Sequence, residues 1–178
     1  RHMQSTGLAP AFFATLALLN LAAAPIDDAM RSVVQVETNG GLGTGFVVGT
    51  GDTIATNFHV VENAKEVSCV LPNGARVAVA GFLYAEPKFD LVLLRTTKST
   101  DLKPLPLSSA PREVGAEVFA LGSPQGLQGS ASKGIISANR RWSDLKPLLS
   151  DGLTAFGYAM DGQWIQTDAA INSGNSGG

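Results

Sequence analysis

The chain has 178 residues, 44% of them hydrophobic and 16% charged, with a formal net charge of −2. That length can bury a sizeable core, in one large domain or two lobes, and the absence of a basic stripe argues against nucleic acid as a partner. A single cysteine, Cys69, rules out an internal disulfide. Its neighbours Val67, Val70 and Leu71 point to a buried structural thiol rather than a nucleophile.

Residues 1–25 contain an uncharged apolar block, "LAPAFFATLALLNLAAAP", behind Arg1 and His2. A basic start, an apolar middle and small residues at Ala22–Ala24 fit a secretory signal. A short membrane anchor and an ordinary packed helix are the alternatives, although Pro10 shortens any span. From residue 26 the pattern changes. "DDAMRSV" fits about one helical turn, and short β-rich runs follow: "SVVQVET", "GLGTGFVVG", "DTIATNFHVV", "EVSCVLP", "ARVAVAGFLYAE" and "FDLVLLRT". Gly, Asn, Asp and Pro punctuate them. Residues 26–97 therefore read as a first β lobe. The proline-rich stretch 98–115 reads as a linker, and 116–178 as a second β lobe with strands in "AEVFALGSP", "SASKGIISAN" and "QWIQTDAAI". The segment 140–162 reads as a long surface loop, a length usually tied to function or mobility. The predicted fold class is all-β, since many short strands at this spacing imply an antiparallel sandwich or barrel.

Few residues offer chemistry. His2 lies at the N-terminus and needs no role, whereas His59 lies in "TNFHVV", at the end of an apolar strand and beside a turn or short helix. Read alone, it is a satisfied half-buried histidine. Asp90, heading the run "DLVLLR", reads alone as a strand-end cap, but a partly buried carboxylate needs a partner and an imidazole N–H is a natural one. Ser176 lies in "NSGNSGG", which alone is a glycine-rich turn. The same turn can aim the N–H groups of Gly174 and Ser176 at one point beside a hydroxyl. A serine attacks well only when a base takes its proton. The chain order His59, Asp90, Ser176 is that of chymotrypsin-type proteases.

"GTGFVV", "TNFHVV", "DLVLLR", "ALGSPQGL", "GIISA" and "IQTDAAINSGNSGG" occur in that order over residues 43–178. Together they resemble the HtrA/DegP-like trypsin-fold serine proteases. The resemblance implies two antiparallel six-stranded barrels facing each other across a cleft, the second of them incomplete at Gly178. It implies His59 as general base, Asp90 as the acid that orients it, Ser176 as nucleophile, and Gly174 with Ser176 as oxyanion hole. Thr167, Ala170, Ile171 and Asn172 match the border of the specificity pocket, where Ala170 and Ile171 imply small or medium apolar side chains. The implied activity is endopeptidase cleavage of unfolded or damaged proteins, bound as extended strands, in protein quality control. No metal or cofactor is implied. The implied location is periplasmic or secreted, with membrane contact only through an uncleaved N-terminal segment, and the implied assembly is a homo-oligomer such as a trimer. The segment 140–162 falls where such proteases carry regulatory loops. The alternative function is a protease-fold peptide-binding or chaperone module that does not cleave.

Overall fold

A computed structural model describes residues 26–108, 112–123, 129–145, 163–172 and 174–178. A helical turn over residues 26–30 (α1) leads into the first lobe. Its strands are β1 (Val33–Thr38), β2 (Gly41–Val48), β3 (Thr53–Thr56), β4 (Val67–Val70), β5 (Arg76–Glu86) and β6 (Leu91–Thr96). They close into a barrel in the order β1-β2-β3-β6-β5-β4, every pairing antiparallel. Closure removes the exposed sheet edges that would otherwise invite aggregation.

The barrel interior follows from side-chain alternation. Val34 and Val36 of β1, Val47, Ile54, Val77, Val92 and Leu94 all turn inward and form one buried cluster. Each such side chain contributes about 1.5–3 kcal/mol when fully buried. Cys69 sits in this cluster with no exposure, and burial pushes its thiol up to about 12, which agrees with a structural role. Strand β1 departs from simple alternation, because Val33 and Gln35 on its other face are buried too. That face meets the second lobe: Ser123 Oγ donates to Gln35 Oε1 at 3.4 Å.

The second lobe holds β7 (Glu117–Gly122), β8 (Ser130–Arg141) and β9 (Gln163–Thr167), paired antiparallel in the order β7-β8-β9. The two-lobed all-β class is as expected, with an unclosed second sheet among the described residues.

Several local readings change. "DTIATNFHVV" is not one run: β3 stops at Thr56 and a single helical turn, α2 (Phe58–Val61), takes over, so His59 lies inside a helix. The stretch after β6 is more firmly attached than a linker. The Thr100 amide and hydroxyl both donate to Gly51 O, the Leu105 amide donates to Val47 O, and Leu102 packs on the barrel core. At the start of the expected 140–162 loop, Arg140 and Arg141 complete β8, and a turn of helix, α3 (Trp142–Leu145), follows. Residues 1–25 and 146–162 lie outside the described residues, and with them the signal or anchor reading and the rest of that loop. No helix among the described residues is long and apolar enough to cross a membrane.

Candidate active site

The β3–β6 ladder pairs Thr56 with Val92. Continued past the strand ends, that register sets the α2 turn beside Asp90. The first N–H groups of a helix have no partner within it, and here Asp90 supplies partners from another strand. Its backbone carbonyl accepts from Phe58 N at 3.0 Å and from Asn57 Nδ2 at 2.8 Å. Its carboxylate accepts from His59 N through Oδ1 at 2.8 Å and pairs with His59 Nδ1 through Oδ2 at 2.6 Å. Asp90 itself ends the 3₁₀ turn Pro87–Phe89 in the left-handed region, φ 51°, a conformation Asp and Asn tolerate better than most residues.

Both carboxylate oxygens are thus spent on one residue. A carboxylate only accepts, so Nδ1 is the donor, and in the neutral ring Nε2 then keeps its lone pair. The Asp90 side chain is only 15% exposed and the His59 side chain 42%, so the ring is held from its protected side and open on the other.

His59 and Ser176 line one cavity of about 290 Å³, together with Thr38, Gly41, Leu42 and Val60. Among the described residues no hydrogen bond joins the Ser176 hydroxyl to the ring. A larger cavity of about 630 Å³ opens among β1, β4 and β5, but none of His59, Asp90 and Ser176 lines it. Size therefore does not pick the site; the convergence of base and hydroxyl does.

Ser176 is carried by a turn that packs on the first barrel. Thr44 N donates to Ser176 O and Thr44 Oγ1 to Gly174 O, each at 2.7 Å, and Gly178 N donates to Asn175 O at 2.9 Å. Gly174 and Gly177 have φ of 97° and 90°, so both need glycine's freedom. At Gly177 the need is doubled, because a Cβ would collide with the Thr44 carbonyl and the Thr56 hydroxyl. Among the described residues the amides of Gly174 and Ser176 donate to nothing.

The four residues expected at the specificity pocket lie on the approach to this turn. Thr167 ends β9, and its hydroxyl accepts from Ala169 N at 3.1 Å. The Ala170 carbonyl accepts from Ser132 Oγ at 2.6 Å, and the Asn172 carbonyl accepts from Asn175 N at 3.0 Å. Ile171, 65% exposed, lines a separate cavity of about 240 Å³ with Phe46, Leu105, Phe119 and Asn175. None of the four lines the cavity shared by His59 and Ser176. Sequence reasoning passed over Asp168, whose Oδ1 accepts from Ile135 N at 2.7 Å and ties this stretch to β8. It also passed over the threonines 44 and 56, which carried no signal beyond their place in quoted motifs. No group of His, Cys, Asp and Glu among the described residues could hold a metal ion.

Two lobes, a histidine held by an aspartate and a serine on the same cavity are the arrangement of the trypsin fold. Comparison with known proteins agrees. The model of the trypsin-like peptidase domain matches residues 43–178. Human serine protease HTRA4 is 36% identical over 172 residues, covering 89% of this chain and 34% of that protein. A probable periplasmic serine endoprotease, DegP-like, of Rickettsia prowazekii is 35% identical over 142 residues, covering 77% of this chain and 25% of that protein. Among solved structures, the HtrA-type protease AlgW with a tripeptide aligns with a TM-score of 0.71 at 28% identity, over 87% of this chain and 48% of that one. The chain belongs to the trypsin-like peptidase domain family, on its HtrA/DegP-like branch. It spans between a quarter and about a third of the length of these two curated relatives.

Proposed function

We propose that the chain is the catalytic part of a serine endopeptidase acting on unfolded or damaged polypeptides. The observation that carries this reading is the double grip of Asp90 on His59, through ring and backbone together, on a cavity that Ser176 shares. Ser176 Oγ attacks a peptide carbonyl while His59 Nε2 takes its proton, and Asp90 stabilises the imidazolium that forms. The amides of Gly174 and Ser176 bind the oxyanion, each such donor contributing about 2.7–4 kcal/mol. His59 then protonates the leaving amine, and water repeats the cycle on the acyl-enzyme. Contacts between nucleophile and base tighten when substrate binds.

In this reading the first lobe, 26–97, supplies base and acid; 98–115 joins the lobes; and 116–178 supplies the nucleophile and oxyanion donors. Thr167, Ala170, Ile171 and Asn172 border a pocket for small or medium apolar side chains, none of them bringing a charge to select a basic one. Substrate adds as an extended strand, a mode that reads backbone and suits unfolded chains. A periplasmic or secreted location and a homo-oligomer, such as a trimer, are proposed on the likeness to HtrA/DegP-type proteins.

The test is hydrolysis of an unfolded protein and of a fluorogenic peptide with Val at the cleaved bond, using the protein at full length. Ser176→Ala is expected to lose turnover by several powers of ten and yet bind the peptide in fluorescence anisotropy. Near-wild-type hydrolysis by this variant, or a wild type that neither cleaves nor reacts with a fluorophosphonate probe, would end the assignment.

A further inference from the structure

The turn bearing Ser176 presents three consecutive carbonyls, and each has a donor. Gly178 N holds that of Asn175, while Thr44 holds the two on either side of it. The amide of Asn175 is also bound, to Asn172 O at 3.0 Å. In a planar trans peptide the C=O and the following N–H point in opposite directions. Pinning the Asn175 carbonyl therefore turns the Ser176 amide the other way, and pinning the Gly174 carbonyl fixes the peptide plane that lies between the Gly174 and Ser176 amides.

We propose that Thr44 is a positioning residue for the oxyanion hole: its hydroxyl, reaching across from the first lobe, sets the orientation of the Gly174 and Ser176 amides. The inference rests on the protease reading above. Thr44 lies on β2 and has no exposure. Its hydroxyl is used in both directions, donating to Gly174 O and accepting from Ser123 N at 2.9 Å. Ser123 directly follows β7, so one side-chain oxygen joins the first barrel, the second sheet and the nucleophile turn. The Thr44 carbonyl in turn accepts from Thr56 Oγ1 at 2.6 Å, three residues before His59. The bond is part-buried and its donor fully so, and its loss takes from the carbonyl the partner that fixes its direction. The peptide between Gly174 and Asn175 is then held only by the bond of its N–H to Asn172 O, so its plane can tilt and the two amides no longer converge. Gly174, with no Cβ, offers little resistance to that tilt.

The experiment compares Thr44→Val, which keeps the shape and the backbone N–H but removes the hydroxyl, with Thr44→Ser, which keeps the hydroxyl. Both are made in the full-length protein. Readouts are kcat and KM on a fluorogenic peptide, the Ki of a peptide boronic acid that mimics the tetrahedral intermediate, and binding of the same peptide to each variant in a Ser176→Ala background. Thr44→Val is expected to lower kcat about tenfold or more, short of the roughly 10²–10³ seen when an oxyanion donor is removed outright. The boronate should weaken by the same factor as kcat/KM, as for an interaction made only in the transition state. KM and peptide binding should stay within about threefold, and Thr44→Ser should restore kcat to within about threefold of wild type. If Thr44→Val does not fold, Thr44→Ala takes its place. An active wild type matched by the hydroxyl-free variant, or a Thr44→Ser as impaired as Thr44→Val, would overturn this inference alone. A wild type that hydrolyses nothing would overturn the protease reading and this inference with it.

Discussion

Replacing Asp90 with Asn tests what the double grip on His59 accomplishes. Asn is nearly isosteric and accepts the left-handed backbone that Asp90 adopts, so the turn at residues 87–90 should survive. It has one acceptor and one donor where Asp has two acceptors. His59 N is always a donor and sits 2.8 Å from one of the two positions, so the carbonyl oxygen of the new amide would have to face it. The new NH₂ group then faces His59 Nδ1, where Oδ2 of Asp90 now lies at 2.6 Å. A donor there compels Nδ1 to accept, which moves the ring proton to Nε2. A protonated Nε2 cannot take the proton of Ser176. Flipping the amide rescues the ring but sets one donor against another at His59 N. The loss of kcat should be about 10⁴-fold, as for the corresponding change in the Ser-His-Asp template, or about 5 kcal/mol of transition-state stabilisation at 1.36 kcal/mol per tenfold. Because the hydrogen bonds are reorganised rather than removed, the thermal midpoint should move by only a few degrees. Steady-state hydrolysis and differential scanning fluorimetry on Asp90→Asn measure both. More than about a tenth of wild-type kcat, where the template predicts about 10⁻⁴, or a rate loss that merely follows unfolding, would refute the tautomer argument.

Two further changes probe the framework. Gly177→Ala combines left-handed strain of about 1–2 kcal/mol with overpacking of about 1–3 kcal/mol against Thr44 and Thr56. A loss of about 2–5 kcal/mol should lower the melting temperature by roughly 10 °C in a domain of this size, and an unchanged melting curve would show that the turn does not pack as described. Cys69 should resist iodoacetamide at pH 8 in the native protein and react once unfolded in urea, as mass spectrometry would show. Burial raises its thiol from 9.0 to about 12, so the stability this contributes is complete below 9.0 and is lost as pH rises toward 12. Denaturant midpoints for wild type and Cys69→Ala across that interval should converge at the alkaline end; parallel curves would contradict it.

Much of this molecule is written in local pattern. The alternation in "RVAVAGF" and the breaks at "NGG", "PNG" and "EPK" place strands within a few residues of where they lie, because side-chain period and turn chemistry act over short distances. The candidates His59, Asp90 and Ser176 stood out because a base, a carboxylate and a hydroxyl in this order match a motif carried by the chain itself. What local pattern missed depends on partners far away along the chain. "TNFHVV" reads as a strand end beside a turn or short helix, but that the helix begins at Phe58 and contains His59 depends on Asp90, which across the β3–β6 register accepts the N–H groups that a new helix would leave bare. Thr44 is an ordinary strand residue by every local measure. Its burial, and its bonds to Ser123, Gly174 and Ser176, exist only once two lobes have closed on each other. Residue types and their order thus determined which chemistry was available. The packing of the second lobe on the first barrel decided how it is held, since hydrogen bonds between segments more than a hundred residues apart appear in no short window of sequence.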